Sequence, residues 1–137
     1  MGLILDSSVV IDAERRGDTV VQMLKHLAAI AGDQRAALSA IGLTELVHAV
    51  HRAPELSIRL RRERFIEELV EDLEVVPYTK KTAMLAGRVG GEQRLKGINI
   101  PSVDLFIGAT ALEHNYALVT SNVRHFRLIP SLQVIQV

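Results

Sequence analysis

The chain contains no cysteine and no tryptophan, and aromatic residues make up only 4% of its 137 residues. The absence of cysteine excludes disulfide frameworks, thiolate metal sites and cysteine nucleophiles. Neither sign of charge is in excess, because 16 Lys and Arg residues are balanced by 16 Asp and Glu residues. Nucleic-acid-binding domains are usually basic, so this balance counts against binding through overall charge but allows a basic face beside an acidic pocket.

Long hydrophobic runs are also missing, since none approaches the roughly 20 residues of a membrane span. Met1 leads directly into a strand-like segment without a signal-peptide pattern. Hydrophobic residues make up 48% of the chain and charged residues 23%, which is typical of a globular domain. These features predict a soluble, cytoplasmic protein with no membrane segment and one domain over residues 1–137.

Strand-like and helix-like segments alternate along the chain. Short runs rich in Val, Ile and Leu predict strands at Leu3–Asp6, Ala36–Ser39, Leu73–Tyr78, Ala117–Thr120 and Leu132–Val137. Helical periodicity predicts helices at Val9–Arg16, Asp18–Ala31, Ile41–Arg52, Leu56–Asp72, Lys80–Leu95 and Ser102–His114. The strand runs are continuously apolar, as in parallel sheets covered on both faces. The pattern therefore predicts an α/β fold, a mostly parallel sheet of about five strands with helices on both faces.

Three acidic residues stand beside residues that favour burial. Asp6 ends the first apolar run, Glu45 interrupts a helical stretch and Asp104 opens another. In open α/β sheets, ligands bind outside the carboxyl ends of the strands, and we expect all three carboxylates to reach this edge. Gly108 shares the helix face of Asp104, which we expect to leave space for a neighbouring backbone or a substrate.

A divalent cation is the simplest compensation for three such carboxylates, because an unpaired buried charge is costly. Crowded carboxylates raise one another's pKa, and a bound cation relieves the repulsion. An all-oxygen ligand set without cysteine suits Mg²⁺ or Mn²⁺ better than Zn²⁺. The sequence therefore predicts a Mg²⁺ site, with Mn²⁺ as an alternative, at which Asp6, Glu45 and Asp104 are the metal ligands.

Four segments carry a resemblance to a known family. They are Leu5-Asp6-Ser7-Ser8, Thr44-Glu45-Leu46, the stretch from Pro101 to Leu112, and the stretch from Leu118 to Phe126. In this order and at these separations they resemble the motifs of PIN-domain ribonucleases, most closely the toxins of VapBC toxin–antitoxin pairs. Each motif alone is weak, but four in order across essentially the whole chain are a specific signal.

The resemblance implies a three-layer PIN-like fold and a Mg²⁺- or Mn²⁺-dependent endoribonuclease that hydrolyses RNA with a metal-activated water. It places Asp6, Glu45 and Asp104 at the acidic metal-binding positions. The fourth catalytic position, which is often Asp, holds Asn122, and we expect this amide to orient water or substrate or to ligate weakly. Thr120 matches a polar position that steadies the site. The resemblance further implies an RNA substrate, a small antitoxin whose C-terminal segment blocks the site, and a homodimer.

Each of these residues also has a purely structural interpretation. In that view the Asp6 side chain caps the following helix, and Glu45 forms a weak, exposed pair with Arg52 or His48. Asp104 then merely favours the positive end of its helix, which contributes roughly 0.3–1 kcal/mol. Asn122 is in this interpretation an ordinary turn residue.

The most basic stretch, from Arg59 to Arg64, also permits two interpretations. Its arginines contact RNA phosphates in one of them. In the other, which we favour, they form a solvated helix face on which Arg64 pairs with Glu68 four residues later.

Other functions compete with the toxin-type nuclease. A catalytically silent PIN-fold module that only binds RNA or protein is one alternative, motivated by the Asn at the fourth acidic position. A nuclease of RNA maturation is another, and it shares the same chemistry. A phosphoacceptor receiver domain needs a Lys at the end of its fifth strand, and Leu132–Val137 contains none.

Overall fold

A five-stranded sheet in which all neighbouring strands are parallel forms the middle layer of the protein. The computed structural model describes residues 1–137. The strands are β1 (Gly2–Leu5), β2 (Arg35–Ser39), β3 (Glu74–Val76), β4 (Ala117–Thr120) and β5 (Val134–Gln136), in the spatial order β3-β2-β1-β4-β5. The predicted parallel α/β class is confirmed. The third strand starts later than predicted because Leu73 caps the preceding helix, where its N–H donates to Leu69 O.

Six α-helices connect the strands, and none of them combines the length and the apolar character needed to cross a bilayer. They are α1 (Ser7–Arg16), α2 (Val20–Ala31), α3 (Ala40–Arg52), α4 (Leu56–Asp72), α5 (Lys80–Leu95) and α6 (Ser102–Glu113). A short 3-10 helix, Phe126–Leu128, precedes β5. Helix α2 begins later than predicted because Thr19 forms a capping box, in which its hydroxyl accepts from Gln22 N and Gln22 Oε1 accepts from Thr19 N.

The apolar strands bury both faces of the sheet, which makes the three-layer arrangement. Leu3 and Leu5 of β1 belong to a core cluster with residues of α1, α2 and α4. Ile4 points the other way, into a second cluster that includes residues of α5 and α6. Side chains alternate along a strand, so a strand of continuous apolar residues supplies both clusters at once.

The strand order creates a crevice at the carboxyl edge of the sheet. From β1 the chain continues outward through β2 and β3 on one side, whereas β4 and β5 lie on the other side. Such a reversal point is where open α/β sheets bind ligands. Asp6 follows β1 here, its backbone N–H donating to Val119 O of β4 at 2.9 Å, and Thr120 ends β4. The fold therefore brings these two residues to the crevice.

The predicted close approach at Gly108 is made by the C-terminal segment of the chain itself, and not by a substrate. A Cβ at Gly108 would overlap Ile129 Cδ1 and would lie 3.3 Å from Leu132 Cδ2. Ile129 is only 3% exposed. The missing side chain of Gly108 therefore lets the C-terminal segment pack tightly against α6.

This packing predicts opposite effects for two glycine substitutions in neighbouring helices. Gly108→Ala is expected to lower the free energy of unfolding, because overpacking a core costs about 1–3 kcal/mol and the better helix propensity of Ala offsets only roughly 0.5–1 kcal/mol of it. Gly87→Ala, at an exposed position of α5 with nothing within 4 Å of the added Cβ, is expected to raise it by roughly 0.5–1 kcal/mol because Ala is the better helix former. Urea denaturation of both variants measures the difference, and equal effects would contradict the close contact at Gly108.

Candidate active site

The carboxylate of Asp6 is the most buried charged group of the site, at 6% exposure. It stands at the junction of β1 and α1, where the backbone leaves the strand. The hydroxyls of Ser8 and Thr120 both donate to Asp6 Oδ2, each at 2.8 Å. Both side-chain donors act on Oδ2, and no side chain donates to Oδ1.

Backbone amides orient the two hydroxyls toward Asp6. Ser121 N donates to Ser8 Oγ at 3.2 Å, and Asn122 N donates to Thr120 Oγ1 at 3.0 Å. Each hydroxyl has one proton, and the backbone donors occupy acceptor positions, which leaves that proton for the carboxylate. The segment after β4 thus steadies Asp6, as the sequence predicted for Thr120.

Glu45 reaches the same rim from the second turn of α3. Ser7 Oγ donates to its Oε1 at 3.0 Å. Ser39 fixes the start of α3, because its hydroxyl accepts from Gly42 N at 2.9 Å. Glu45 is half-buried and forms an ion pair with neither Arg52 nor His48, so the alternative in which it is merely paired on an exposed helix face is wrong.

Asp104 lies in the first turn of α6 and is held by a histidine. Nδ1 of His125 is 2.7 Å from Asp104 Oδ2, and the two side chains are 33% and 24% exposed. Ser7, Ser8 and His125 lie inside the motifs, but the sequence predicts no role for them. Their contacts with the acids could not be predicted from their separation along the chain, apart from that of Ser8, which lies two residues from Asp6.

The electrostatics of the rim show that the three acids interact. Burial raises the pKa of the Asp6 carboxyl, and the charge of Asp104 raises it further, while the hydrogen bonds from Ser8 and Thr120 act in the opposite direction. Burial also raises the pKa of Glu45, with smaller increases from the charges of Asp6 and Asp104. Hard oxygens with mutual repulsion are the setting in which a bound cation lowers the free energy.

The donor set fits a magnesium-type ion. No three His, Asp or Glu side chains lie close enough to form a preassembled ligand cluster. However, Mg²⁺ is commonly held through one or two carboxylates and keeps several waters. Asp6, Glu45 and Asp104 each have one oxygen fixed by a side-chain donor and a second oxygen without one. Such a rim suits a partly hydrated Mg²⁺ or Mn²⁺ ion.

The structure places Asn122 at the rim through its backbone. Its N–H donates to Thr120 Oγ1, whereas its side chain is exposed and has no hydrogen-bond partner in the protein. The direct catalytic role predicted for this amide stays a prediction. The helix-cap alternative for Asp6 is wrong, because its side chain makes no capping hydrogen bond to α1.

The basic stretch of α4 serves a contact that neither interpretation anticipated. Arg61 Nε lies 2.7 Å from Glu14 Oε1, and Arg62 Nε lies 3.4 Å from Glu14 Oε2. Glu14 is only 6% exposed, so the two arginines compensate a buried charge of α1. The expected pair of Arg64 with Glu68 does not form.

The raised pKa of Asp6 predicts how stability depends on pH. The folded protein binds the Asp6 proton more tightly than the unfolded chain does, so ionisation above the unfolded pKa of about 3.9 destabilises the fold. Asp6→Asn removes the charge but keeps an oxygen that accepts from Ser8 and Thr120. In EDTA we expect this variant to be more stable than the wild type at neutral pH. The advantage should vanish as the pH falls below about 3.9. Urea denaturation across this range measures it, and a variant less stable at neutral pH would contradict the burial argument.

Comparison with known proteins gives consistent results. The sequence profile of the PIN domain matches residues 3–130. Ribonuclease VapC1 of Rickettsia felis is 32% identical over 137 residues, which cover 100% of this chain and 97% of that protein. The tRNA(fMet)-specific endonuclease VapC of Salmonella typhimurium is 28% identical over 102 residues, 73% of this chain and 74% of that protein.

A solved structure shares the fold over its full length. The crystal structure of VapBC2 from Rickettsia felis bound to a DNA fragment from its promoter matches with a TM-score of 0.85 and 24% identity, covering 100% of this chain and 99% of that chain. This likeness confirms the predicted PIN-like architecture. Together with the profile match and the full-length identity to VapC1, it shows that the chain belongs to the PIN-domain family and, within it, to the VapC ribonucleases.

Proposed function

We propose that the protein is a Mg²⁺- or Mn²⁺-dependent endoribonuclease and the toxin of a toxin–antitoxin pair. One observation carries this proposal: the carboxylates of Asp6, Glu45 and Asp104 lie near enough to act on one another electrostatically, and each accepts from side-chain donors through a single oxygen. A divalent cation held there supplies a nucleophilic water and offsets the charge that develops on the phosphate. The substrate of the relatives named above, RNA, fits this chemistry.

The chain's own residues prepare the site for this reaction. Ser8 and Thr120 hold Asp6, and Ser7 holds Glu45, so the ligands are preorganised before an ion or a substrate arrives. The positive charge of Arg52 acts on Glu45, where it lowers the pKa. The positively charged Arg52 side chain also suits contact with a phosphate of the RNA backbone.

The decisive experiment is cleavage of a labelled, structured RNA by the pure protein in Mg²⁺, in Mn²⁺ and in EDTA. We expect metal-dependent cutting that Asp6→Asn and Asp104→Asn reduce by more than about 100-fold, since even the outer partners of metal ligands are worth about 10–100-fold. Asn122→Ala should cause a smaller loss than Asp104→Asn, because a neutral amide is the weaker ligand.

Asp12→Asn is the matched control for these substitutions. Asp12 lies on α1, six residues after Asp6, and makes no hydrogen bond to any residue of the rim. Its variant should cut as fast as the wild type. A protein that cuts no RNA tested, together with no Mn²⁺ binding in calorimetry, would instead support the catalytically silent module.

A groove beside the rim offers a place for an antitoxin. It measures about 460 Å³ and lies between α1, α3 and α4. Its lining is mostly apolar, including Val10, Leu46 and Phe65. Val10 is on α1 together with Ser7, and Leu46 is on α3 next to Glu45. A segment bound in this groove therefore extends toward the active site. We infer that the antitoxin's C-terminal segment binds here, consistent with the VapBC assembly named for the structural relative.

The charge of the groove specifies the chemistry of that segment. Arg15, Arg52 and Arg62 line it, and Arg62 is paired with Glu14, the acidic residue of the lining, so Arg15 and Arg52 carry the unbalanced positive charge. An apolar groove with unbalanced positive charge favours an amphipathic segment that carries acidic residues. The antitoxin segment is therefore expected to be apolar on one face and acidic at its margin.

Charge reversal at the groove should weaken this complex and spare catalysis. Arg15→Glu is expected to weaken binding of the purified antitoxin about 10-fold or more, as for loss of a charge contact of roughly 1.5 kcal/mol or more. Arg64→Glu, an exposed cation of α4 outside the groove, is the control. Calorimetry measures binding, and RNA cleavage checks that both variants stay active. Equal binding by both variants would contradict this location.

Two further expectations belong to this proposal. Growth inhibition on expression, relieved by co-expression of an antitoxin, would favour a toxin over a nuclease of RNA maturation. The homodimer stays a prediction, which sedimentation equilibrium of the protein alone tests directly.

A further inference from the structure

The segment after β4 delivers an imidazole to the acidic rim. Nδ1 of His125 is 2.7 Å from Asp104 Oδ2. The chain has 5 histidines, and His125 is the one whose ring contacts a carboxylate. This contact joins the loop between β4 and β5 to the first turn of α6.

Buried neighbours fix the position of His125. Phe126 and Ile129 are 2% and 3% exposed, and Ile129 fills the space above Gly108 of α6. The Gln93 side chain of α5 donates to Leu128 O at 2.8 Å. The segment that carries His125 is therefore anchored on α5 and α6, and this anchoring holds the imidazole in contact with Asp104.

The contact determines how Asp104 is oriented. An ionised carboxylate has no proton to give, so with Asp104 ionised Nδ1–H is the donor. Oδ1 of Asp104 accepts no hydrogen bond from a side chain. A donor fixed at one oxygen sets the rotation of the side chain and aims the other oxygen. Outer partners orient metal ligands in this way in many metal sites.

We propose that His125 is a positioning residue of the active site, whose Nδ1–H holds Asp104 so that its free oxygen faces the divalent cation. The proposal rests on the nuclease function, because it requires Asp104 to be a metal ligand. In this arrangement the segment after β4 contributes a hydrogen-bond donor to a ligand, three residues beyond Asn122, the position at which the sequence predicted a fourth oxygen.

Three substitutions separate the two ring nitrogens. His125→Asn places an amide nitrogen near the position of Nδ1, His125→Gln places one near Nε2, and His125→Ala removes both. The readouts are the Mn²⁺ dissociation constant by calorimetry without RNA, and kcat and KM for RNA. We expect His125→Ala to weaken Mn²⁺ binding about 10–100-fold, His125→Asn to restore most of the affinity, and His125→Gln to restore little. His26→Ala, an exposed histidine of α2, should bind like the wild type.

The outcomes decide between distinct possibilities. Unchanged Mn²⁺ affinity in His125→Ala would overturn the proposal, and so would rescue by Gln but not Asn, which assigns the role to Nε2. If His125→Ala does not fold, the Mn²⁺ affinities of His125→Asn and His125→Gln are compared instead, provided that both variants keep the melting temperature of the wild type. Tighter binding by the Asn variant supports the proposal. A wild type that binds and cuts while all His125 variants match it refutes this proposal alone. A wild type that neither binds Mn²⁺ nor cuts RNA refutes the nuclease function and this proposal with it.

Discussion

The buried carboxylate of Asp6 is the constraint around which the rest of the site is arranged. It lies at the point where the strand order reverses between β1 and β4, and a charge in that position needs polar partners because desolvation is expensive. Ser8 and Thr120 supply them, and backbone N–H groups of the following residues orient both hydroxyls. The loop after β4 is thereby bound to the start of α1. The same loop carries His125 to Asp104. The placement of the buried Asp6 is therefore linked to the orientation of Asp104.

The acidic rim stores electrostatic repulsion that the fold alone does not relieve. Burial raises the pKa of both Asp6 and Glu45, and each is raised further by a neighbouring carboxylate. Neutral side chains at these positions would make the fold more stable. Functional sites commonly keep such destabilising groups because activity requires them. Their retention, with hydroxyl and imidazole donors already in place, is consistent with a site prepared for a cation.

The fold places the charges of the site and of the groove separately. Asp6, Glu45 and Asp104 interact at the rim, while α4 directs Arg61 and Arg62 to the buried Glu14 on the wall of the groove. Glu14 is only 6% exposed, so these two arginines compensate its charge and hold α4 against α1. Arg15 and Arg52 supply the positive charge that the groove offers to a partner, together with Arg62, which also contacts Glu14.

Sequence pattern alone predicts the helices and strands, the α/β class and the acidic residues. Continuous apolar runs such as Leu3 to Leu5 require burial on both faces, and helical periodicity gave α4 and α5 their observed bounds. The hydrogen-bond partners were decided by the tertiary structure, because Ser8 and Thr120, and likewise Asp104 and His125, meet only after the sheet has formed. The same holds for Gly108, whose role depends on Ile129, and for the Arg61 contact with Glu14. Local pattern records whether a residue prefers burial and which helix or strand it joins, but a contact between residues far apart in the chain depends on how those elements pack.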